Sequence, residues 1–455
     1  MIRTYIITSL LLLLPLIGQA QTTITLQEAI DIALENNYQL KQAENNKSLA
    51  ETRVFSAKAD FLPSLSGNFN GSVNIGRQFI QEDLSFADAT SKRVGGSLSA
   101  NITVFNGFSN IANLRQARAE NQSTTEENQR LKETVIFNTA SRYLQVVLNE
   151  ELLKIAQTTL EASRSQLEQI QAQVDVGALP TVDLFNQEAT VARDELTVIQ
   201  RENTLAVSEA QLIRIMQDDS ITEIETNVPS VDELSIVPVD YNLNEMIDIA
   251  LNNRSDFRAQ ELAIESNEQA EVIAFANILP TVTASAGISS GWSDQFRIPD
   301  QNNPMERVLP SFGDQFFDLQ RSRNIGFSVN IPIFNRWNNR TNITASQIQL
   351  KNSQLELDNV RFQISEEVRQ AYNDYVSIVK ELESSQKSLI AAERAFETEQ
   401  QRYEIGSTTL IELNLANANY VQAQSERVQA IYNFIFQQRL LDYYIGQLDE
   451  NIEFN

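Results

Sequence analysis

The chain has 455 residues, with 60 Asp plus Glu against 35 Lys plus Arg, a formal charge of −25 and no His or Cys. That balance argues against a surface for nucleic acid or anionic lipid, since both need net positive patches. Without His and Cys there is no Ser–His–Asp triad, no imidazole base, no thiolate or imidazole metal site and no disulfide.

Met1 to Ala20 holds one cation, Arg3, then an apolar run from Ile6 to Ile17, then small residues at Gly18 and Ala20. This reads as a secretory signal peptide (1–20), because the run is too short to span a bilayer. Cleavage would leave Gln21 first and, without Arg3, a charge of −26. No later window offers ~18 consecutive apolar residues, so no transmembrane helix is expected. Secretion, the periplasm or an outer-membrane β-barrel remain.

Leu26 to Ala59 lacks glycine and proline and is predicted helical, its start marked by the capping-box pattern Thr25-x-x-Glu28. Next come two alternating segments. Leu65, Phe69, Val73 and Ile75 alternate with polar residues, and so do Leu98, Ala100, Ile102 and Val104. A breaker-free stretch from Phe108 to Val176 and another from Thr181 to Met216 follow. After a linker at 218–241 the pattern begins again. Leu26-Gln-Glu-Ala-Ile-Asp-Ile-Ala-Leu reappears as Leu243-Asn-Glu-Met-Ile-Asp-Ile-Ala-Leu, with Asn242-x-x-Glu245 as its cap. Val282 to Ile288 and Ile325 to Ile333 alternate in matching parity, and Arg336 to Ile405 and Leu410 to Ile445 are again free of breakers. The last of these starts at Thr409-x-x-Glu412. The offset is 217 early and 229 late, which places one insertion in one loop of the second copy. The chain is therefore a tandem repeat, 21–217 and 242–446, with a tail at 447–455.

Val368, Tyr375, Leu382, Leu389, Phe396 and Tyr403 recur every seven residues. Their equivalents Thr139, Val146, Leu153, Leu160, Leu167 and Val174 are apolar at all but one position. That spacing keeps one seam facing a partner helix. At ~1.5 Å per residue, the long stretches span on the order of 105 Å.

The four alternating segments suit barrel strands between lipid and water, although a soluble sheet with one buried face would alternate in the same way. Four strands cannot close a barrel, and an open edge in lipid leaves backbone groups unsatisfied. A ring of three chains would supply twelve strands. The fold class expected is an α+β membrane protein, with four strands per chain completing a trimeric 12-stranded transmembrane β-barrel and long coiled-coil-like helices. The interstrand segments Gln81 to Arg93 and Trp292 to Arg323 are expected outside the cell, the second being the more irregular.

The signal peptide, the doubled helix–hairpin–helical-hairpin unit, Phe61-Leu-Pro63 and Phe105-Asn-Gly107 together resemble the TolC family of outer-membrane efflux channels. The resemblance covers essentially the whole mature chain. It implies a homotrimeric tunnel in the outer membrane of a Gram-negative bacterium, continued by an α-helical barrel through the periplasm. It implies a periplasmic adaptor (membrane fusion) protein and an inner-membrane RND, ABC or MFS-type pump as partners. The cargo would be small molecules or a secreted polypeptide, conducted passively, with no enzyme activity, no cofactor and no nucleic acid. Outer-membrane lipid surrounds the barrel.

The resemblance assigns adaptor contact to the hairpin tips Val176-Gly177-Ala178-Leu179 and Ile405-Gly406-Ser407-Thr408. It assigns a periplasmic gate to Asp183, Tyr403 and Glu412. Thr408 stands where the family places an Arg, and Leu415 replaces a second acid. Asp183 and Glu412 equally suit a helix first turn, where acids favour the macrodipole. Two other functions fit parts of the pattern. An independent porin has no use for the long helices, and a soluble periplasmic coiled-coil scaffold does not explain the strand parity.

Overall fold

A computed structural model describes residues 22–80, 85–218, 220–221, 224–226, 237–301 and 303–448. The predicted signal peptide, residues 81–84, most of the linker and the end of the tail lie outside the described residues. The first copy contributes β1 (Thr22–Ile24), α1 (Leu26–Asn36), α2 (Tyr38–Ala59), β2 (Ser64–Ile80), β3 (Ser85–Asn106), α3 (Ser109–Asp175) and α4 (Thr181–Met216). Then follow β4 (Ile224–Thr226), α5 (Leu243–Asn253), α6 (Ser255–Ala276), β5 (Thr281–Ser293), β6 (Ile298–Pro299) and β7 (Arg307–Val308). A short helix α7 (Phe312–Asp314) runs into a π-helical turn at Gln315–Leu319, before β8 (Ser322–Asn330), α8 (Asn338–Glu404) and α9 (Leu410–Tyr444). The order helix, helix, strand, strand, long helix, helix thus occurs twice. In space the chain forms two compact units that do not follow the copies. One is Met1–Lys41, Arg130–Arg254 and Ile364–Asn455; the other is Gln42–Gln129 and Ser255–Gln363.

In the first unit, α1 is an amphipathic helix. Leu26, Ala29, Ile30 and Ala33 recur on one face and are buried. Thr25 and Glu28 close the predicted capping box. The helix expected to run unbroken to Ala59 stops at Asn37, whose backbone turns to ψ 117°. The Asn37 side chain accepts the N–H of Gln39 at 2.9 Å and of Leu40 at 3.1 Å, so it acts as the N-cap of α2. Arg254 makes the equivalent break between α5 and α6, with ψ 122°. Its buried guanidinium meets Glu367 at 2.5 Å.

The parallel pair β1–β4 was not foreseen, since three residues are too few for an alternation to show. Its anchor is tertiary. Ile24 and Ile224 enter a core with Ile30, Tyr143, Leu212 and Met216. The Tyr143 hydroxyl donates to the Ile24 carbonyl at 2.8 Å. Full burial of one such side chain is worth about 1.5–3 kcal/mol. The heptad seam is inside as predicted: Thr139, Val146, Val368 and Tyr375 are buried. Ala156, Leu160, Val191 and Val198 join α3 to α4. Phe396 stacks on Tyr420, 5.6 Å between centroids, joining α8 to α9.

The second unit holds a four-stranded antiparallel sheet of order β2-β3-β5-β8. Its first hairpin is longer than expected. Residues 85–93, predicted as part of the loop from Gln81 to Arg93, lie in β3. β8 is shorter, ending at Asn330, because Pro332 has no N–H to donate; Ile331 and Ile333 lie beyond the strand.

Register aligns the predicted apolar parity across all four strands. Leu65 opposes Ala100, Leu98 opposes Ile288, and Ala286 opposes Ile325. This face is largely uncovered: Phe69 is 71% exposed, Ile325 90% and Phe327 80%. On the other face Ser66 and Ser99 share a hydrogen bond of 2.8 Å, with Asn68, Ser97 and Ser289 in line. A soluble sheet would bury the apolar side; an uncovered one suits lipid. Among the described residues no helix is long and apolar enough to cross a membrane.

The long loop of the second copy is more ordered than expected. Gln315, fully buried, accepts the Ser293 N–H at 2.9 Å and the Gln320 amide at 2.7 Å, and donates to the Pro310 carbonyl at 3.1 Å. Phe312 and Phe316 stack beside Trp292.

Candidate functional site

The first unit contains both helical-hairpin tips. At the end of α3, Gly177 takes φ +78°. Its N–H donates to the Val174 carbonyl at 2.9 Å, and the Ala178 N–H donates to the Gln173 carbonyl at 2.8 Å. At the end of α8, Gly406 takes φ +72°. Its N–H donates to the Tyr403 carbonyl at 2.9 Å, and the Ser407 N–H donates to the Arg402 carbonyl at 2.8 Å. Both are Schellman caps, closed by glycine because the left-handed conformation costs other residues. Pro180 and Thr409 then open the returning helices. Leu179 and Thr408 complete the two turns.

The same position in each tip exposes a large apolar side chain, Val176 and Ile405, each 80% exposed. One turn into the returning helices, Val182, Phe185, Ile411 and Leu415 are also exposed. Val182, Phe185 and Ile411 were not singled out in advance, and Leu415 was named only as a departure from the family pattern. Their signal was available: apolar residues in helix first turns, away from the buried positions Leu184 and Leu413.

The gate candidates are only partly brought together. Tyr403 packs against a small core of Ile170, Leu184 and Leu410. Burial, and then the negative charge of Asp183, push its phenol above the ordinary tyrosine value. Its hydroxyl is buried without a hydrogen-bond partner, so Tyr403 and Asp183 are near each other but not bonded. Asp183 sits half-buried in the first turn of α4.

Glu412 is tied to its own hairpin. It completes the capping box with Thr409 and accepts the Thr408 hydroxyl. The Thr408 bond and then the Thr409 N–H hold its carboxyl below the usual carboxylate range. Thr408, standing in place of the Arg, therefore anchors Glu412. Arg402 pairs with Glu399 at 2.5 Å and donates to the Ser407 carbonyl at 3.3 Å.

A cross-hairpin link was also missed. The Asn414 amide donates to Gln187 at 3.3 Å, and buried Gln187 donates to the Ser163 carbonyl at 3.0 Å. Ser163 in turn donates to Asp194, whose carboxyl burial pushes up. The heptad spacing marks the apolar seam alone and carries no sign of these polar partners. Among the described residues no cluster of three acids could hold a metal ion.

The model of the family described as "Outer membrane efflux protein" matches residues 29–216 and 246–447, spanning both copies. Outer membrane protein TolC of Escherichia coli (strain K12) is 23% identical over 425 residues, covering 91% of this chain and 80% of that protein. Cation efflux system protein CusC of Escherichia coli (strain K12) is 22% identical over 385 residues, covering 84% of this chain and 78% of that one. A crystal structure of CusC superposes with a TM-score of 0.78 at 18% identity, covering 92% of each chain. The chain belongs to the outer membrane efflux protein family: it is an outer-membrane efflux channel protein, a transport conduit and not an enzyme.

Proposed function

We propose that three copies assemble into a duct, their sheets completing a 12-stranded transmembrane barrel and their long helices an α-helical barrel extending into the periplasm. The observation that carries this reading is the sheet. Its apolar face is exposed on all four strands, while β2 and β8 are its outer strands, each with one neighbouring strand among the described residues. In lipid such edges cost several kcal/mol per unsatisfied group, and ring closure removes them. The duct exports small molecules, or a secreted polypeptide, and selection resides in an inner-membrane pump of RND, ABC or MFS type. The repeats 21–217 and 242–446, joined by 218–241, each supply one sixth of the ring, so that each chain supplies a third.

The exposed apolar positions at the tips support docking of a periplasmic adaptor, with Gly177 and Gly406 setting the turns on which Val176 and Ile405 are presented. Asp183, Tyr403 and Glu412 form the gated entrance. The orphan Tyr403 hydroxyl next to Asp183 supports that role, because a buried hydroxyl left unpaired costs about 1–3 kcal/mol until it finds a partner. Native mass measurement in detergent, with single-channel recording in planar bilayers, tests the assembly. Three chains per particle and discrete conductance steps are expected; an inserted, conducting monomer would overturn ring completion. A double variant Val176→Ser with Ile405→Ser is expected to conduct normally yet lose adaptor co-purification.

A further inference from the structure

The apolar face of the sheet is not bare everywhere. At the end nearest the long loop, the Phe312–Leu319 segment lies over it, and a cleft of about 550 Å³ opens between the two. Its walls are Phe69, Leu98 and Ile288 from the sheet and Phe316, Phe317 and Arg321 from the segment. The segment is fastened in place. The Ser290 hydroxyl donates to the Phe316 carbonyl, and the Ser293 N–H donates to Gln315. Gly96 makes the close approach possible, since a Cβ there would stand 3.1 Å from the Phe316 ring.

Cations rim this cleft. Arg323 opposes Ile288 in the register and so shares the apolar face, and Arg321, two residues before it, lines the cleft. Lys92 opposes Val73 on that same face, farther along the sheet and outside the cleft lining. Two acids, Asp314 and Asp318, belong to the segment, and neither lines the cleft. The cleft lining itself carries Arg321 and no acid, a local sign opposite to the −25 of the whole chain.

We propose that this cleft is a binding site for a phosphorylated acyl glycolipid of the lipid A class, one acyl chain entering between Phe317 and the sheet and a phosphate meeting Arg321 and Arg323. The proposal rests on reading the sheet as part of a barrel whose loops face outside. On a lipid-facing surface the available ligands are acyl chains, and Arg or Lys at the edge of an apolar band marks headgroup level. Arginine suits phosphate because its fork can donate two parallel hydrogen bonds. The composition argued against anionic lipid for the chain as a whole; the register concentrates positive charge at one place where the average is negative.

The test reconstitutes the full chain in phosphatidylcholine nanodiscs with a small fraction of bisphosphorylated lipid A and measures lipid retained after detergent exchange by native mass spectrometry. A charge-assisted hydrogen bond is worth on the order of tenfold in affinity, so R321Q/R323Q is expected to retain lipid A about tenfold less tightly. Phe317→Ser is expected to lower retention too, while Arg307→Gln, exposed in the same loop but off the cleft, leaves it unchanged. Equal retention by R321Q/R323Q and the unaltered chain, or equal retention of dephosphorylated lipid A, overturns the site. Planar-bilayer conductance separates the two readings. A chain that conducts but retains no lipid A loses only the site; a chain that never inserts loses the barrel and the site with it.

Discussion

At single residues, the tips show what a glycine and a carboxylate each contribute. A Cβ at Gly177 or Gly406 would meet nothing within 4 Å, so the requirement there is conformational and not steric. Gly406→Ala is therefore expected to cost about 1 kcal/mol, read as a lower denaturant midpoint, with the helices intact. Glu412 is fully exposed, and its carboxyl is held low by Thr408 and Thr409. A depressed carboxyl keeps its charge above the shifted value and loses it only as pH falls through that value. In a trimer Glu412 makes a ring of three carboxylates, which raises local cation concentration. Reversal potentials should thus show cation preference that is constant from pH 7 down to about pH 5. Glu412→Gln should reduce that preference at neutral pH while keeping the capping hydrogen bonds. Identical reversal potentials for the two proteins would leave Glu412 as a helix cap and nothing more.

Elements meet their limits where backbone geometry changes. The passage from strand to long helix uses two consecutive left-handed residues in each copy: Gly107 and Phe108 in the first, Arg336 and Trp337 in the second. Only one of the four is glycine, so the second copy carries more strain. Arg336→Gly is expected to raise stability by about 1 kcal/mol in a denaturant titration, since φ +57° costs an L side chain roughly that much. No gain would mean that the arginine side chain offsets the strain. The segment over the sheet depends on Gln315, which is buried and satisfied from both ends of its amide. Gln315→Ala leaves the Ser293 N–H and the Pro310 carbonyl without that partner and should release the segment. Limited proteolysis is expected to cut within 300–320 several-fold faster, with the strands of the sheet protected.

Over the whole molecule, the sheet order fixes which strands the proposed assembly must join. β2 and β8 are its outer strands, and the central β3–β5 pairing joins the two copies. The natural chain has no Cys, so a cysteine introduced into β2 together with one in β8 reports only contacts between these edges. Oxidation is expected to give covalent ladders ending at three chains. Ladders that stop at two, or edges that never cross-link in membranes, would refute closure through them. Strands of this length in the wrong register would turn the apolar face inward, because side chains alternate with period two.

Residue order alone settled what is local. Breaker-free runs named the long helices, period two named the strands and their apolar side, and glycine at the end of a helix named the tips. Each rests on interactions within a few residues, which sequence spacing records directly. Asn37 shows how thin that record can be: an N-cap side chain in mid-helix was legible only once its bonds to Gln39 and Leu40 were seen. Tertiary structure decided what depends on distant partners. It paired Thr22–Ile24 with Ile224–Thr226, left the Tyr403 hydroxyl unbonded, and laid Phe316 on Gly96. It also built each compact unit from parts of both copies, so that the repeat seen in the sequence is not the unit of packing. The reason is that burial and pairing are properties of surfaces brought together by the fold, and residues hundreds of positions apart carry no shared period by which to announce the contact.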